Sequence, residues 1–222
     1  RGHGASEGLF DLDGPRDVQD TKELFAWFTA RPEVSDTEIG ALGISLGGGL
    51  LWSSLAAGVP FKAIVPVITW TNLVTALAPQ RNLTKSGLVP YLAGLVPTTR
   101  WDPQITALIP SFATSGDLTG ATAFGVARSV AATLHSTTTP TLLVQGRHDF
   151  LFDIDQALTA YRNLQGPKAL YLGDRGHVPA SNPSAELPTV YGTAVKWFDH
   201  FLKGAANGIE KTHVVLAHDP WD

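Results

Sequence analysis

Four short aliphatic segments separate the helical stretches of this chain, and they constrain its fold more than any other feature. They are EIGALGI (38–44), FKAIVPVIT (61–69), PTLLVQG (140–146) and KALYLG (168–173). Each is too short for a core helix and is rich in aliphatic or β-branched residues, which is typical of strands buried on both faces. Strands that alternate with helices form a mostly parallel sheet with helices on both faces. The sequence therefore predicts an α/β fold.

The spacing of apolar residues predicts four helices around these strands. They cover residues 15–30, 47–58, 153–164 and 184–203. Pro32 ends the first helix, because proline disfavours the helical conformation of the residue before it, and Gly204 ends the last. The apolar face is predicted to be Val18, Leu24, Phe25 and Phe28 in the first helix, and Leu187, Val190, Tyr191, Ala194, Phe198, Phe201 and Leu202 in the last.

Residues 70–139 form a region of a different kind. They contain five prolines and only six Asp, Glu, Lys or Arg side chains. A run of this length with so little charge is not a solvated loop, so it predicts several short helices that form a lid. We therefore expect a core domain made of residues 1–69 and 140–205, a lid at 70–139 and a tail at 206–222.

The composition excludes several classes of partner and site. The chain has 20 acidic and 16 basic side chains, a formal net charge of −4, and the basic residues are scattered rather than clustered. We therefore expect no nucleic-acid partner. Cysteine is absent, which excludes disulfides, thiolate metal sites and a cysteine nucleophile. The chain has no H-E-x-x-H motif and no histidine pair at ligand spacing, so we expect no metal and no other cofactor.

The sequence leaves the compartment and the oligomeric state open. No window holds about 18 consecutive apolar residues, and no basic segment precedes an apolar one, so it predicts no membrane span and shows no signal peptide. The chain begins at Arg1 and contains no methionine. We therefore expect the natural N-terminus, and any targeting segment, to lie upstream.

A single serine stands where the first strand meets the second helix. Ser45 lies between Gly43 and Gly47 in the pattern G-x-S-x-G. This context predicts a nucleophile elbow, a strained turn that exposes the hydroxyl at the carboxyl end of the sheet while the glycines allow strand and helix to pass closely. The alternative is a glycine-rich turn without catalytic function. A phosphate-binding loop is disfavoured, because neither Gly-Lys-Ser/Thr nor G-x-G-x-x-G is present.

A serine nucleophile needs a base and a carboxylate that orients the base, and both types follow predicted strands. Asp149 comes just after the strand at 140–146, and His177 lies in the loop after the strand at 168–173. The carboxyl ends of parallel strands meet at one edge of a sheet, where sites in open α/β folds form. The sequence therefore predicts Ser45, Asp149 and His177 as a catalytic set.

Other acids and histidines fit these two functions less well. Asp153 and Asp155 begin a helix, where carboxylates are ordinarily caps, and Asp174 is too close in sequence to His177. His3 belongs to a Gly-His-Gly turn that we expect near the site. The remaining histidines are interpreted as surface or packing residues: His135, His148, His200, His213 and His218.

With these residues identified, the chain resembles the α/β-hydrolase superfamily across nearly its whole length. RGHGASEG is similar to the loop after the fourth strand, GISLGG to the elbow, GRHDFLF to the acid loop and GDRGH to the histidine loop. Within the superfamily, GHGASEG, GPRDVQDTKELFAWF and PEVSDTEIGALGIS resemble the Xaa-Pro dipeptidyl-peptidase and cocaine-esterase-like hydrolases of peptidase family S15.

The resemblance implies an α/β-hydrolase fold with a helical lid after the sixth strand, and an acyl-enzyme mechanism. Ser45 would attack, His177 would shuttle the proton, Asp149 would hold the imidazole, and the Leu46 backbone N–H would give one oxyanion-hole hydrogen bond. The second donor would come from a loop before Arg1, so we expect a fragment that lacks the first strands. The tail NGIEKTHVVLAHDPWD is similar to the entry into a β-rich C-terminal domain, or is a plain final strand.

Three functions follow, and the lid composition ranks them. A dipeptidyl-peptidase needs a carboxylate for the substrate ammonium group, and the lid offers only Asp102 and Asp117. Its aromatic residues suit an uncharged acyl group: Trp70, Tyr91, Trp101, Phe112 and Phe124. We therefore expect a serine hydrolase of small esters or short peptides, with esterase favoured over Xaa-Pro dipeptidyl-peptidase. A non-catalytic binding module or inactive fragment on the same fold is the alternative of another class.

Overall fold

The computed structural model describes residues 1–79, 85, 98–111, 115–178 and 180–217. Its helices are α1 (Pro15–Thr29), α2 (Leu46–Ala56), α3 (Leu73–Leu77), α4 (Pro103–Pro110), α5 (Thr119–Val126), α6 (Ile154–Asn163) and α7 (Leu187–Lys203). Its strands are β1 (Gly40–Ile44), β2 (Ala63–Val67), β3 (Thr141–Gly146), β4 (Lys168–Gly173) and β5 (Val214–Leu216). Short 3₁₀ turns occupy Leu134–Ser136, Ser184–Glu186 and Ile209–Lys211.

The strands form one five-stranded sheet in the order β1-β2-β3-β4-β5, with every pair parallel. One row of the register joins Ile44 to Val67, Val67 to Val144, and Val144 to Tyr171. Strands β1, β3 and β4 therefore end at the same edge, and their following loops meet there. The predicted α/β fold with a mostly parallel sheet is confirmed.

Helices cover both faces of the sheet, as predicted. On one face, α7 packs its buried side chains on inward-facing residues of β2, β3 and β4: Val65, Val67, Leu142, Val144, Ala169 and Tyr171. On the other face, α2 and α6 pack against Ile64, Leu143 and Leu170. Because β2, β3 and β4 alternate their side chains between two apolar layers, these strands are continuous hydrophobic runs in the sequence.

The tail contributes the fifth strand of the core sheet. Val214 pairs with Leu170, and the Ala217 N–H donates to the Leu172 carbonyl at 2.8 Å. This part of the tail therefore forms an edge strand of the sheet next to β4. Residues 218–222, which include His218, lie outside the described residues.

Two predicted helix faces differ from the structure. In α7, Tyr191 is 47% exposed, whereas Trp197, which the spacing did not select, is only 1% exposed and fills the interface with the sheet. In α1, Leu24 and Phe28 are exposed while Asp17 is buried. Asp17 is buried because its carboxylate accepts the Asp13 N–H at 3.0 Å, a contact that apolar periodicity does not reveal.

The region predicted as a lid contains α3, α4, α5 and the turn at Leu134–Ser136 in its described part. Pro103 occupies the first turn of α4, where its missing N–H has no intrahelical acceptor to lose. Tyr91 and Phe112, two of the predicted lid aromatics, lie outside the described residues. No helix in the described part of the chain is long and apolar enough to cross a membrane.

Trp197 should be a major contributor to stability. We expect Trp197→Ala to lower the free energy of unfolding by about 3–5 kcal/mol, because it leaves a cavity between α7 and the sheet. Urea denaturation measures this change. Val195→Ala, at a 57% exposed position of the same helix, is the control and should change it by less than about 0.5 kcal/mol. Equal effects of the two variants would contradict this packing.

Candidate active site

Ser45 lies in a strained turn between β1 and α2. Its backbone has φ 54° and ψ −116°, a conformation that is costly for a residue with a side chain. Four hydrogen bonds hold its backbone there, one of them from the Gly49 N–H to the Ser45 carbonyl at 3.1 Å. The Ser45 N–H donates to the Val67 carbonyl at 2.8 Å, and its own carbonyl accepts from Thr69 Oγ1 at 2.8 Å and from the Gly48 N–H at 2.9 Å.

The glycines around Ser45 differ in whether a side chain could replace them. A Cβ at Gly43 would overlap the Gly47 carbonyl, so glycine is required where the strand passes the helix. A Cβ at Gly48 would lie 2.7 Å from the Cβ of Thr69, which also demands a small residue. A Cβ at Gly47 would meet no atom within 4 Å. The close approach predicted from G-x-S-x-G therefore depends on Gly43 rather than on Gly47.

The structure brings the three predicted catalytic side chains together. Ser45 Oγ lies 2.6 Å from His177 Nε2, and His177 Nδ1 lies 2.8 Å from Asp149 Oδ2. The His177 backbone N–H also donates to Asp149 Oδ2, at 3.2 Å. Because a carboxylate only accepts, Nδ1 carries the imidazole proton and Nε2 accepts from the serine hydroxyl. This is the tautomer that a general base requires.

Asp149 is held rigidly beneath the imidazole. Its side chain is fully buried, and Oδ1 accepts the N–H groups of Leu151 at 2.9 Å and Phe152 at 3.1 Å. The Phe152 ring meets the His177 ring edge-on, with centroids 5.1 Å apart. The imidazole is therefore fixed on one edge by a carboxylate and on one side by an aromatic ring.

The histidine loop is anchored by residues that sequence reasoning missed. Buried Glu186 accepts the Asp174 N–H at 3.0 Å and the Tyr171 hydroxyl at 3.2 Å. Burial and the neighbouring Glu186 carboxylate raise the pKa of Tyr171 well above its usual value. The Asn182 side chain hydrogen-bonds the backbone of Gly176. No local pattern marks Glu186 or Asn182, because both act through contacts across the loop.

The rival acids lie away from this triad. Asp153 and Asp155 stand at the start of α6, and Asp174 pairs with Arg147 at 2.6 Å. The Asp153 side chain makes no capping hydrogen bond, so the capping function expected for it is not observed.

The rival histidines in the described residues also make other contacts. His200 Nδ1 donates to the Ala205 carbonyl at 2.8 Å at the end of α7. His3 Nδ1 donates to the Arg1 carbonyl at 2.8 Å, and its ring packs on Phe10. The others are exposed: His135, His148 and His213.

The backbone after Ser45 offers an anion site. Leu46 is the first residue of α2, and its N–H has no acceptor among the described residues. The first amides of a helix have no intrahelical partner, and the helix dipole favours negative charge there. The Leu46 N–H is therefore free, within the described part of the chain, to act as the oxyanion-hole donor that the family resemblance implies.

An apolar cavity of about 150 Å³ lies among α3, α4 and α5. Its lining includes Leu12, Leu73 and Leu77, which belong to the same apolar cluster as Leu46 and Phe152. This cluster connects the cavity to Leu46, the residue after Ser45, and to Phe152, which packs on His177. Its other lining residues are Val74, Ala78, Lys85, Ile105, Leu108, Ile109, Leu118, Ala121, Thr122, Phe124 and Gly125.

Lys85 is the one charged residue in the described lining of the cavity. Its Nζ donates to the Leu151 carbonyl at 2.6 Å. Burial lowers the pKa of this lysine below its usual value, although Asp153 and Asp149 act in the opposite direction. Within the described residues, no group of three or more His, Cys, Asp or Glu side chains is arranged to hold a metal ion.

The family of X-Pro dipeptidyl-peptidases (S15) matches residues 1–179 of the chain. The chain belongs to the S15 family. The match agrees with the resemblance found in the sequence motifs. Among curated protein sequences, none matches this chain.

Solved structures of other proteins share the fold of this S15 family member. A CocE/NonD family hydrolase from Staphylococcus aureus aligns with a TM-score of 0.75 at 18% identity, covering 97% of this chain and 38% of its own. An esterase from Pyrococcus furiosus aligns with a TM-score of 0.60 at 18% identity over 91% of this chain and 68% of its own. An acylaminoacyl peptidase from Pyrococcus horikoshii aligns with a TM-score of 0.60 at 17% identity, covering 91% of this chain and 30% of its own.

These neighbours confirm the α/β-hydrolase fold of the S15 chain. They also show that it spans about 38% of the length of the Staphylococcus aureus hydrolase.

A buried acidic cluster in the N-terminal loop of this S15 chain contacts Arg128, which belongs to the region predicted as a lid. The Arg128 guanidinium donates to the backbone carbonyls of Asp11 and Leu12 at 2.7 and 2.8 Å. Asp13 is 3% exposed, and its Oδ2 has no hydrogen-bond partner among the described residues. Burial, together with the neighbouring Asp17 carboxylate, raises the pKa of Asp13 to about 8, and Arg128 opposes the shift.

This cluster predicts a loss of stability as the pH rises. Because the folded state holds the Asp13 proton more tightly than the unfolded chain, its contribution is complete below about pH 4 and is lost as the pH rises through about 8. Asp13→Asn removes the ionisation, so the free energy of unfolding should fall less between pH 5 and pH 9 than in the parent chain. Urea denaturation at both pH values measures this.

Asp36→Asn, at an exposed position, is the control and should keep the parental pH dependence. If the free energy of unfolding falls equally between pH 5 and pH 9 in Asp13→Asn and in the parent, Asp13 does not bind this proton.

Proposed function

We propose that this S15 family member is a serine hydrolase that cleaves carboxylic esters through Ser45, His177 and Asp149. The observation that carries the proposal is the continuous path of hydrogen bonds from Ser45 Oγ through the imidazole to the buried Asp149 carboxylate. In this arrangement a hydroxyl, a base and an orienting carboxylate lie in the order that acyl transfer needs.

The first half of the reaction forms an acyl-enzyme. Ser45 Oγ attacks the ester carbonyl carbon while His177 Nε2 accepts the hydroxyl proton. Asp149 stabilises the resulting imidazolium, and the Leu46 N–H donates to the oxygen that becomes negative. One such donor is typically worth about 10²–10³ in rate. When the tetrahedral species collapses, the bond to the alcohol oxygen breaks, and the alcohol leaves with the proton from His177.

The second half returns the enzyme to its starting state. A water molecule attacks the acyl carbon and gives its proton to His177 Nε2. The Ser45 oxygen then leaves and takes that proton back, which releases the carboxylic acid. The same three side chains therefore act twice, and no cofactor is needed.

Charge in the cavity favours an ester over a dipeptidyl substrate. A substrate ammonium group would need a buried carboxylate partner. Asp102 pairs with Arg16 at 3.0 Å and caps α4, and Asp117 is exposed and caps the start of α5. Neither lines the cavity, whereas the cation Lys85 does. Xaa-Pro dipeptidyl-peptidase is the second candidate, supported by the family match.

The size of the cavity suggests the acyl group. Dry apolar cavities of about 150 Å³ hold a benzene-sized molecule, so we propose an uncharged acyl group of about six carbons. Phe124 contributes an aromatic wall, as the sequence analysis expected of the lid aromatics. Trp70 instead belongs to the apolar core, with its indole N–H donating to the Arg128 carbonyl at 2.8 Å.

Covalent labelling tests the triad directly. A fluorophosphonate probe should modify Ser45, as shown by intact mass and peptide mapping, and should not modify Ser45→Ala. His177→Ala should lose at least about 10⁴-fold in ester hydrolysis and most of its labelling rate, because the serine loses its base. Ser35→Ala, which removes a hydroxyl in a turn before β1, should be labelled like the parent.

Failure of a folded chain to label would refute the hydrolase proposal and favour a binding module or an inactive fragment. Turnover of Xaa-Pro amides in preference to esters would favour the second candidate.

A pair of variants on α5 tests the acyl cavity. Ala121 lines the cavity, whereas Ala123 is exposed on the same helix outside the lining. With p-nitrophenyl esters of increasing chain length, Ala121→Leu should lower kcat/KM for the hexanoyl ester by about tenfold or more while the acetyl ester is nearly unaffected. Ala123→Leu should retain the parental profile. If both variants shift the profile equally, the cavity does not bind the acyl chain.

A further inference from the structure

The loop that carries His177 has no regular secondary structure in its described part. It runs from Asp174 at the end of β4 towards the 3₁₀ turn that begins at Ser184. Glu186 fixes its first residue through the Asp174 N–H. The imidazole lies three residues further on, so a separate contact must define its position.

Asn182 supplies such a contact through its side-chain amide. Its Oδ1 accepts the Gly176 N–H at 3.0 Å, and its Nδ2 donates to the Gly176 carbonyl at 2.9 Å. Nδ2 also donates to the Ala180 carbonyl at 3.1 Å. One side chain therefore binds both backbone polar groups of the residue directly before His177. Asn182 itself has φ 48°, a left-handed conformation that asparagine tolerates better than most residues.

Gly176 in turn lies directly against the acid of the triad. A Cβ at Gly176 would be 2.9 Å from both Cα and Cβ of Asp149. The loop therefore approaches Asp149 as closely as a backbone can, and the His177 N–H reaches Asp149 Oδ2 from there. Any displacement of the Gly176 peptide would move the imidazole relative to both Asp149 and Ser45.

We propose that Asn182 is a positioning residue that fixes the His177 imidazole between Ser45 and Asp149. This inference rests on the proposed function, since it concerns the same triad. Asn182 touches none of the reacting atoms and acts only through the Gly176 peptide. It should therefore affect the chemical step and not the binding of substrate.

Paired glycine variants separate the amide contacts from the backbone requirement. Asn182→Gly keeps the left-handed conformation accessible but removes the hydrogen bonds. Asn207→Gly is the matched control, because Asn207 also spans a loop, donating to the Lys196 carbonyl at 2.8 Å and accepting from the Ile209 N–H at 3.1 Å, in a segment that follows α7. Asn182→Asp keeps the acceptor for the Gly176 N–H and should retain part of the function.

The expected result is a kcat for ester hydrolysis lowered by about 10- to 100-fold in Asn182→Gly, with KM within about twofold, because a misplaced base slows only the chemical step. Asn182→Asp should fall between Asn182→Gly and the parent, and Asn207→Gly should match the parent. Proton NMR gives a readout that does not depend on activity. The downfield resonance of the His177 Nδ1 proton should be present in the parent and in Asn207→Gly, and lost or moved upfield in Asn182→Gly.

Parental kcat together with a parental downfield resonance in Asn182→Gly would overturn the inference. If no variant of the chain hydrolyses esters, the proposed function fails by itself. The resonance then decides alone whether Asn182 positions His177.

Discussion

The shared register of the parallel strands is the constraint on which the rest of the molecule depends. Ile44, Val67, Val144 and Tyr171 form one row across the sheet, so the chain leaves β1, β3 and β4 at a common edge. Helices on both faces keep this register, because a slip of one residue would turn every buried side chain to the wrong layer. Side chains that are more than a hundred residues apart in sequence therefore meet within hydrogen-bond distance.

Features that depend on local chemistry could be predicted from the sequence. Three such features selected the candidate residues. Ser45 is a hydroxyl between glycines at the end of β1, Asp149 is an acid just after β3, and His177 lies in the loop after β4. Features that depend on contacts between distant segments could not. In α7 the buried side chains are Val190, Ala194 and Trp197, whereas Tyr191, which lies next to Val190 in sequence, is 47% exposed. Glu186 and Asn182 have no local signature, since only the folded histidine loop gives them a partner.

The candidate active site is a polar, tightly hydrogen-bonded group of side chains, whereas the cavity in the region predicted as a lid is apolar. Around Asp149 and His177, nearly every polar atom has a directed partner, which defines one arrangement of charge and proton. The cavity among α3, α4 and α5 has apolar walls with Lys85 as its one charge in the described lining. In the proposed function, such a cavity would select substrates by shape and would exclude a second cation. The proposal thus assigns chemistry and selectivity to different parts of the fold.

The guanidinium of Arg128 couples the unfolding of the region predicted as a lid to that of the N-terminal loop. It stands at the end of α5, is 5% exposed, lies over the Phe124 ring, and donates to carbonyls of the N-terminal loop. Pulling this end of the predicted lid away would leave the buried carbonyl of Asp11 and the part-buried carbonyl of Leu12 without their donor, which is more costly than breaking apolar contacts alone. The two parts should therefore exchange their amide protons as one cooperative unit at this junction, and local opening should begin elsewhere in the lid.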